Sequence, residues 1–308
     1  MSFASEVKNE IYKTEYNKEC CQIAELCGMF CFAGTVNYAK GDIYLKLTTE
    51  SMAVLKRFIT LTKRRLNIDV ALDNKTKETR SGTVFTAVIK NNDDVILFLT
   101  KIGLRNDAGR NSFRIQEHIV FSKCCIRAFV KGAFMGSGSV VNPEKGYHLE
   151  FVTHHMNLSR DFLSLLKKAK FKAKISVRGT AYIIYFKNCD EIADLLAFTG
   201  AHKAMMDYTN TRIEKDTKNY INRTVNCETA NLDKTAKAAA DQIVAIEKLI
   251  KSGIMENLSR ELKELALLRL ENSQASLSEI ADISKPKMSK SGISHRMRKL
   301  LEIASKIK

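Results

Sequence analysis

The segment Leu26 to Gly34, LCGMFCFAG, returns as Val130 to Gly138, VKGAFMGSG, and this recurrence limits what the chain can fold into. Gly28 and Gly132, Phe30 and Phe134, and Gly34 and Gly138 are each 104 residues apart. IYLKLTT (Ile43 to Thr49) falls opposite YHLEFVT (Tyr147 to Thr153), and Phe58 opposite Phe162, at the same interval. Farther on, VILFLTKIG (Val95 to Gly103) lies opposite IADLLAFTG (Ile192 to Gly200) at an interval of 97. The first copy therefore holds seven extra residues, and the loop LDNKTKETRSG (Leu72 to Gly82) has room for them. Two copies of one unit with a length change in a hairpin loop indicate an internal duplication. With only two copies, the expected product is a pseudo-symmetric domain, not a solenoid.

Glycine inside a helix costs roughly 1 kcal/mol relative to alanine, so Gly28, Gly132 and Gly136 need a use that offsets it. Close approach of two backbones is such a use, and the two glycine-bearing helices are expected to pack on each other. Paired motif helices, each followed by strands, a hairpin and a helix, resemble the LAGLIDADG homing endonuclease fold. That resemblance implies two αββαββα halves, each with a saddle-shaped antiparallel sheet, meeting at the motif helices. In that family an acid at the eighth motif position of each helix holds divalent metal beside the scissile phosphates. Here those positions are Ala33 and Ser137. Neither offers the charged oxygen that a hard cation requires. The expectation is a nuclease scaffold that has lost its chemistry, with no catalytic residue and no metal. Glu25 and Glu144 lie near the motifs but outside that slot.

The 308 residues, 45% of them apolar, suffice for two domains with their own cores. No apolar run reaches eighteen residues, and MSFASEVKNEIYK is charged from its sixth residue. Neither a membrane span nor a signal peptide is expected, and a cytoplasmic location follows. The eight cysteines (Cys20, Cys21, Cys27, Cys31, Cys124, Cys125, Cys189 and Cys227) form no CxxC pair. They read as small buried hydrophobes in a reducing compartment, and no cofactor is expected.

A formal charge of +16 calls for an anionic partner. Its distribution is uneven: Lys285 to Lys308 carries eight basic residues against one acid, Glu302. FKAKISVR (Phe171 to Arg178) alternates, with Phe171, Ala173, Ile175 and Val177 on one face and Lys172, Lys174, Ser176 and Arg178 on the other. A half-buried strand would turn the second face to solvent. In the endonuclease fold such a face lies over the DNA groove, which makes Lys172, Lys174 and Arg178 candidates for a secondary backbone contact.

The chain then divides into a first half at residues 1–103, a polar connector at 104–122, a second half at 123–201, an ordered linker at 202–231 expected to pack, and a helical domain at 232–308. In the last of these, Ala240, Ile243, Ile246 and Ile250 keep helical spacing until Gly253. A second helix runs from near Ser259 through Leu262, Leu265 and Leu268 to Asn272. Ser276 and Glu279 form a capping box before a short helix whose inward side chains are Leu277, Ile280 and Ile283. Pro286 interrupts it, and Ser289 caps a last helix with Ile293, Met297, Leu300 and Ala304 turned inward. Short helix, tight turn and basic helix make a helix-turn-helix over 276–300, whose second helix enters the major groove. Ser291, Ser294, His295 and Arg298 can reach base edges, while Lys290, Arg296 and Lys299 suit phosphates.

This combination resembles the WhiA family of bacterial sporulation and cell-division regulators. The resemblance spans the chain and is carried by RAFVKGAFMGSGSVVNPEKGYHLEF (Arg127 to Phe151), NRTVNCETAN (Asn222 to Asn231) and SLSEIADISKPKMSKSGISHRMRKL (Ser276 to Leu300). It implies an α+β protein, with a duplicated LAGLIDADG-like domain followed by an all-α helix-turn-helix domain. It also implies a nucleoid-associated, non-enzymatic regulator that binds double-stranded promoter DNA of cell-division, chromosome-segregation and sporulation genes, with the N-terminal domain open to contacts with other proteins. Two alternatives are an active LAGLIDADG endonuclease, which would need acids at positions 33 and 137, and an RNA- or ribosome-associated basic protein. The latter more often shows aromatic side chains for base stacking.

Overall fold

The computed structural model describes residues 2–39, 41–79, 82–106 and 108–307, with the backbone alone for 74–79. It resolves into two compact units, residues 1–215 and 216–308. In the first, helix α1 (Phe3–Tyr12) precedes the first copy: α2 (Glu19–Ala33), β1 (Gly34–Ala39), β2 (Asp42–Thr49), α3 (Met52–Leu66), β3 (Ala71–Thr79), β4 (Gly82–Ile89) and α4 (Asn92–Lys101). The second copy repeats the order with α5 (Lys123–Ser137), β5 (Ser139–Val140), β6 (Leu149–Thr153), α6 (Met156–Lys168), β7 (Lys174–Arg178), β8 (Ala181–Phe186) and α7 (Cys189–Thr199). Each copy is αββαββα, and the two antiparallel sheets have matching strand orders, β1-β2-β4-β3 and β5-β6-β8-β7.

Strand register agrees with the repeat. Leu45 pairs with Ile89 and Leu149 with Phe186, so both intervals, 104 and 97, hold between hydrogen-bonded partners. The extra residues of the first copy mostly lengthen its second hairpin. β3 has 9 residues where β7 has 5, and it carries a register shift between Asp73 and Lys77. The tip of the expected loop, Arg80 and Ser81, lies outside the described residues.

Alternation predicts a half-buried strand through Phe171 to Arg178, and here the structure differs. β7 begins only at Lys174, and both of its faces are open: Ile175 is 40% and Val177 62% exposed. The reason is position. β7 is an edge strand paired with β8, and α6 packs over β6 and β8 instead. The connector is held to the second copy by Arg114, whose guanidinium makes two hydrogen bonds of 2.9 and 2.8 Å to Asp161, and by Phe113, stacked on His155 at 3.9 Å.

A single helix, α8 (His202–Lys251), runs through both the expected linker and the helix expected after it. Glu10 accepts from the backbone amides of Lys203 and Ala204 at 2.6 and 3.2 Å, satisfying the first turn. The linker packs as expected over its first turns, where Ala204 and Tyr208 are buried, but not over residues 221–234, which are exposed throughout. Helical hydrogen bonding maintains it, and its threonines turn inward on their own backbone. Thr224 and Thr235 donate to the carbonyls of Tyr220 and Asn231 at 3.1 and 2.9 Å, which satisfies hydroxyls that would compete with the helix elsewhere.

The second unit completes α8 and adds α9 (Arg260–Glu271), α10 (Leu277–Ile283) and α11 (Lys290–Ser305) around Ile246, Leu249, Leu265, Ile280, Ile293, Met297 and Leu300. The inward row of α8 here is Ala239, Gln242, Ile246 and Leu249. Ile246 is inward as expected, while the others are one position off the expected Ala240, Ile243 and Ile250, because the polar Gln242 is drawn inside by a buried partner described below.

Candidate nucleic-acid interface

Two places invite a nucleic-acid reading: the joined ends of the motif helices, and the helix-turn-helix. At the first, α2 and α5 pack backbone to backbone. A Cβ on Gly28 would fall on the Phe129 carbonyl oxygen, and one on Gly132 on the carbonyl oxygen of Glu25. Phe30 and Phe134 then point into separate aromatic clusters, Phe30 edge-on to Phe98 at 5.1 Å and Phe134 edge-on to Phe151 at 6.0 Å.

Ala33 and Ser137 close these helices. The Ser137 hydroxyl accepts from the Val152 amide at 3.1 Å, so it serves the backbone of β6. Beside it lies a cleft of about 690 Å³ lined by hydroxyls from Ser5, Thr49 and Ser139, with Lys8 and Glu50 as its charged groups among the described residues. Burial pushes the Lys8 ammonium down to about 8, against the upward pull of Glu50.

Glu25 of α2 is fully buried against α5. Arg57 grips it bidentately, Nε to Oε1 at 2.8 Å and Nη2 to Oε2 at 2.9 Å, and the Lys131 ammonium stands 3.3 Å from Oε1. Lys131 also donates to the Thr14 carbonyl at 2.5 Å and sits 4.9 Å from the centre of the Tyr16 ring. Burial lowers the Lys131 pKa to about 8 even with Glu25 beside it. Sequence pattern gave no sign of this cluster, since its members come from four separate segments.

The sheet faces turned from the helices carry scattered cations. Register places Lys174 opposite Tyr185, Ser176 opposite Ile183 and Arg178 opposite Ala181, so the three share a face. Lys172 precedes the strand. Lys187 lies 5.5 Å from the centre of the Tyr185 ring, and on the first sheet Lys46 stands 5.4 Å from that of Tyr44.

In the second unit the capping box forms as the sequence requires, Ser276 amide to Glu279 at 2.6 Å and Glu279 amide to Ser276 Oγ at 3.3 Å. Ser284 braces the turn, donating to the Ala281 carbonyl at 2.8 Å and accepting from the Met288 amide at 3.1 Å. Ser289 caps α11 by accepting from the Gly292 amide at 3.2 Å. Ile293, Met297, Leu300 and Ala304 are buried, which leaves Ser291, His295, Arg298 and Lys299 exposed on the opposite side, with Lys290 exposed at the start and Ser294 half-buried.

Arg296 departs from the expected set. Its guanidinium turns back to α9, 2.8 Å from Glu261, and donates to the Met288 sulfur, so it bolts the helix to its neighbour. Position explains this: one residue from Met297, it sits at the border of the buried row. Sequence reading also missed Arg269, a fully buried guanidinium with no carboxylate partner among the described residues. Nε donates to Gln242 Oε1 at 2.8 Å and Nη1 to the Asn272 and Ala275 carbonyls, fastening α8 and the loop before α10 to α9. Burial pushes its pKa down.

The two copies and the capped helix-turn-helix define a class of protein with a duplicated LAGLIDADG-like domain followed along the chain by a helical HTH domain. Three family models match in succession: the WhiA N-terminal LAGLIDADG-like domain at residues 19–104, the WhiA LAGLIDADG-like domain at 126–218 and the WhiA C-terminal HTH domain at 221–304. The "probable cell division protein WhiA" of Halothermothrix orenii is 36% identical over 310 residues, 100% of this chain and 99% of that protein. The protein of the same name from Clostridium novyi is 38% identical over 316 residues, with the same coverage. The chain belongs to the WhiA family. The crystal structure of full-length WhiA from Thermotoga maritima, 23% identical, has the same fold, with a TM-score of 0.60 over 100% of this chain and 99% of that one. No described helix is long and apolar enough to cross a membrane.

Proposed function

We propose that the chain is a sequence-specific, non-enzymatic regulator of transcription that acts at promoters of genes for cell division, chromosome segregation and, where present, sporulation. One observation carries this reading: Ser291, His295, Arg298 and Lys299 lie exposed on α11, the second helix of the helix-turn-helix, opposite its buried row. Its relatives' name supports the link to cell division. Arg298 and His295 supply base readout, Ser291 and Ser294 add hydrogen bonds, and Lys290 and Lys299 bind phosphates. Arg296 acts from behind by holding α11 to α9. Nuclease chemistry has been lost in this reading, because Ala33 and Ser137 offer no paired carboxylates and Glu25 is taken by Arg57 and Lys131. Lys174 and Arg178 add affinity from the open face of β7, and the first unit is also available to protein partners.

Arg298→Ala is expected to relax specificity at one base pair, costing about 1–3 kcal/mol there, while Lys299→Ala weakens all sequences alike and lowers the salt slope by about 1. Binding to the operator and to random duplex, measured across a salt series, checks both; equal loss on the two duplexes for Arg298→Ala would contradict the readout role. Genomic footprinting with the full chain and with a chain ended at Lys251 should show promoter protection only for the former. Cleavage of duplex DNA with magnesium would overturn the loss of nuclease activity.

A further inference from the structure

The duplication places more than glycines in register. Cys20 and Cys124, like Cys21 and Cys125, are 104 residues apart, so each motif helix opens on an adjacent pair of cysteines. Lys18 caps α2 and Ser122 caps α5, which puts both pairs at the second and third helical positions. The pairs meet where the helices begin. The sulfurs of Cys20, Cys21 and Cys125 lie within 4.8 Å of one another, and Cys124, whose sulfur is not that close to all three, is the fourth thiol beside them. Cys21 and Cys125 are buried, while Cys20 and Cys124 are half-exposed and leave a path from solvent.

Packing alone gives no reason for three thiols at one point with a fourth beside them. Cys27 and Cys31, farther along α2, show the bland alternative: two buried sulfurs 3.8 Å apart within one helix. The cluster has the donor number and softness that zinc favours. A tetrahedral ion with Zn–S bonds of about 2.3 Å sets its sulfurs roughly 3.8 Å apart; Cys20, Cys21 and Cys125 stand close to that spacing, and Cys124 would join them by turning its sulfur from Ser122. Second-sphere contacts are in place, with Ser122 Oγ 3.1 Å from the Cys124 sulfur and accepting from the Cys125 amide at 3.3 Å.

We propose that Cys20, Cys21, Cys124 and Cys125 bind one zinc ion that staples the two halves together. Binding forms four Zn–S bonds, releases the four thiol protons to solvent and involves no change of oxidation state. The site lies about 18 Å along α2 from Ala33, taking 1.5 Å per residue, at the end opposite the vestigial catalytic positions. It is therefore structural and independent of the DNA-binding reading.

Full-length protein isolated under reducing conditions without chelator should contain about one zinc per chain by elemental mass spectrometry. Protein stripped of metal and reloaded with cobalt(II) alone should show the absorption of a tetrahedral cobalt thiolate. The joint replacement Cys20→Ala and Cys124→Ala, at the half-exposed pair, should lose the ion while the fold survives by circular dichroism. Cys27→Ser with Cys31→Ser should keep it. Chelation of the unmodified protein should lower its Tm and free four thiols to alkylation. Metal-free protein that gives no cobalt spectrum, zinc retained by the alanine variant, or a disulfide joining the two pairs in reduced protein would each overturn the proposal.

Discussion

Gly132→Val should leave the duplicated domain unfolded at room temperature. Its Cβ would lie 2.0 Å from the carbonyl oxygen of Glu25, and the valine methyls would reach farther into α2. Overpacking a side-chain core typically costs 1–3 kcal/mol because neighbours can change rotamer. Here the neighbour is helix backbone, so relief requires α2 and α5 to separate and the cores of both copies to open with them. A loss on the order of 5 kcal/mol or more follows, comparable to the entire stability of many domains. Gly292→Ala is the matched control: its nearest neighbour is Ser289 Oγ at 3.4 Å, and helix propensity alone should raise stability by up to about 1 kcal/mol. Thermal unfolding followed by circular dichroism checks both, and a Gly132→Val protein with an unchanged Tm would sink the backbone-contact argument.

The second large effect is expected for Glu25→Gln. The substitution keeps the side-chain volume and removes the charge that both Arg57 and Lys131 face. Glu15, with its side chain 51% exposed and 3.2 Å from Arg57, is then left as the nearby acid, and solvent screens it. Breaking a buried pair from one side costs roughly 3–5 kcal/mol, since the remaining charge is stranded in a poorly polarisable surround. For a domain of this size that corresponds to a fall in Tm of roughly 10 °C. Lys131→Met should cost less, because the bidentate Arg57–Glu25 pair stays intact. Equal stability of Glu25→Gln and the unmodified chain in denaturant titrations would refute a stabilising role for the cluster.

Much of the architecture was legible because duplication writes the same physical constraints twice. Gly28 and Gly132 announced a helix contact, and the intervals 104 and 97 reappear as strand pairs. The inward row of α11 was legible too, since four apolar residues at helical spacing have one consistent solution. What failed was anything set by a distant neighbour. Alternation in Phe171 to Arg178 could not reveal that the strand lies at an uncovered edge. Helical spacing in α8 slipped by one residue because Arg269, far along the chain, drew Gln242 inward. Arg296 looked like its basic neighbours until Glu261 was seen beside it. Absence of a CxxC pair likewise says nothing of Cys20, Cys21 and Cys125, whose sulfurs the fold brings within 4.8 Å of one another.

The buried ion cluster breaks the symmetry that the glycines preserve. Position 25 holds Glu where its counterpart is Phe129, and position 131 holds Lys where its counterpart is Cys27. Two identical copies of the first half could not reproduce the junction, because the carboxylate on each would meet a cysteine in place of an ammonium. The descendants of the duplication have become obligate complements, and fusion in a single chain guarantees each half the mate it now requires.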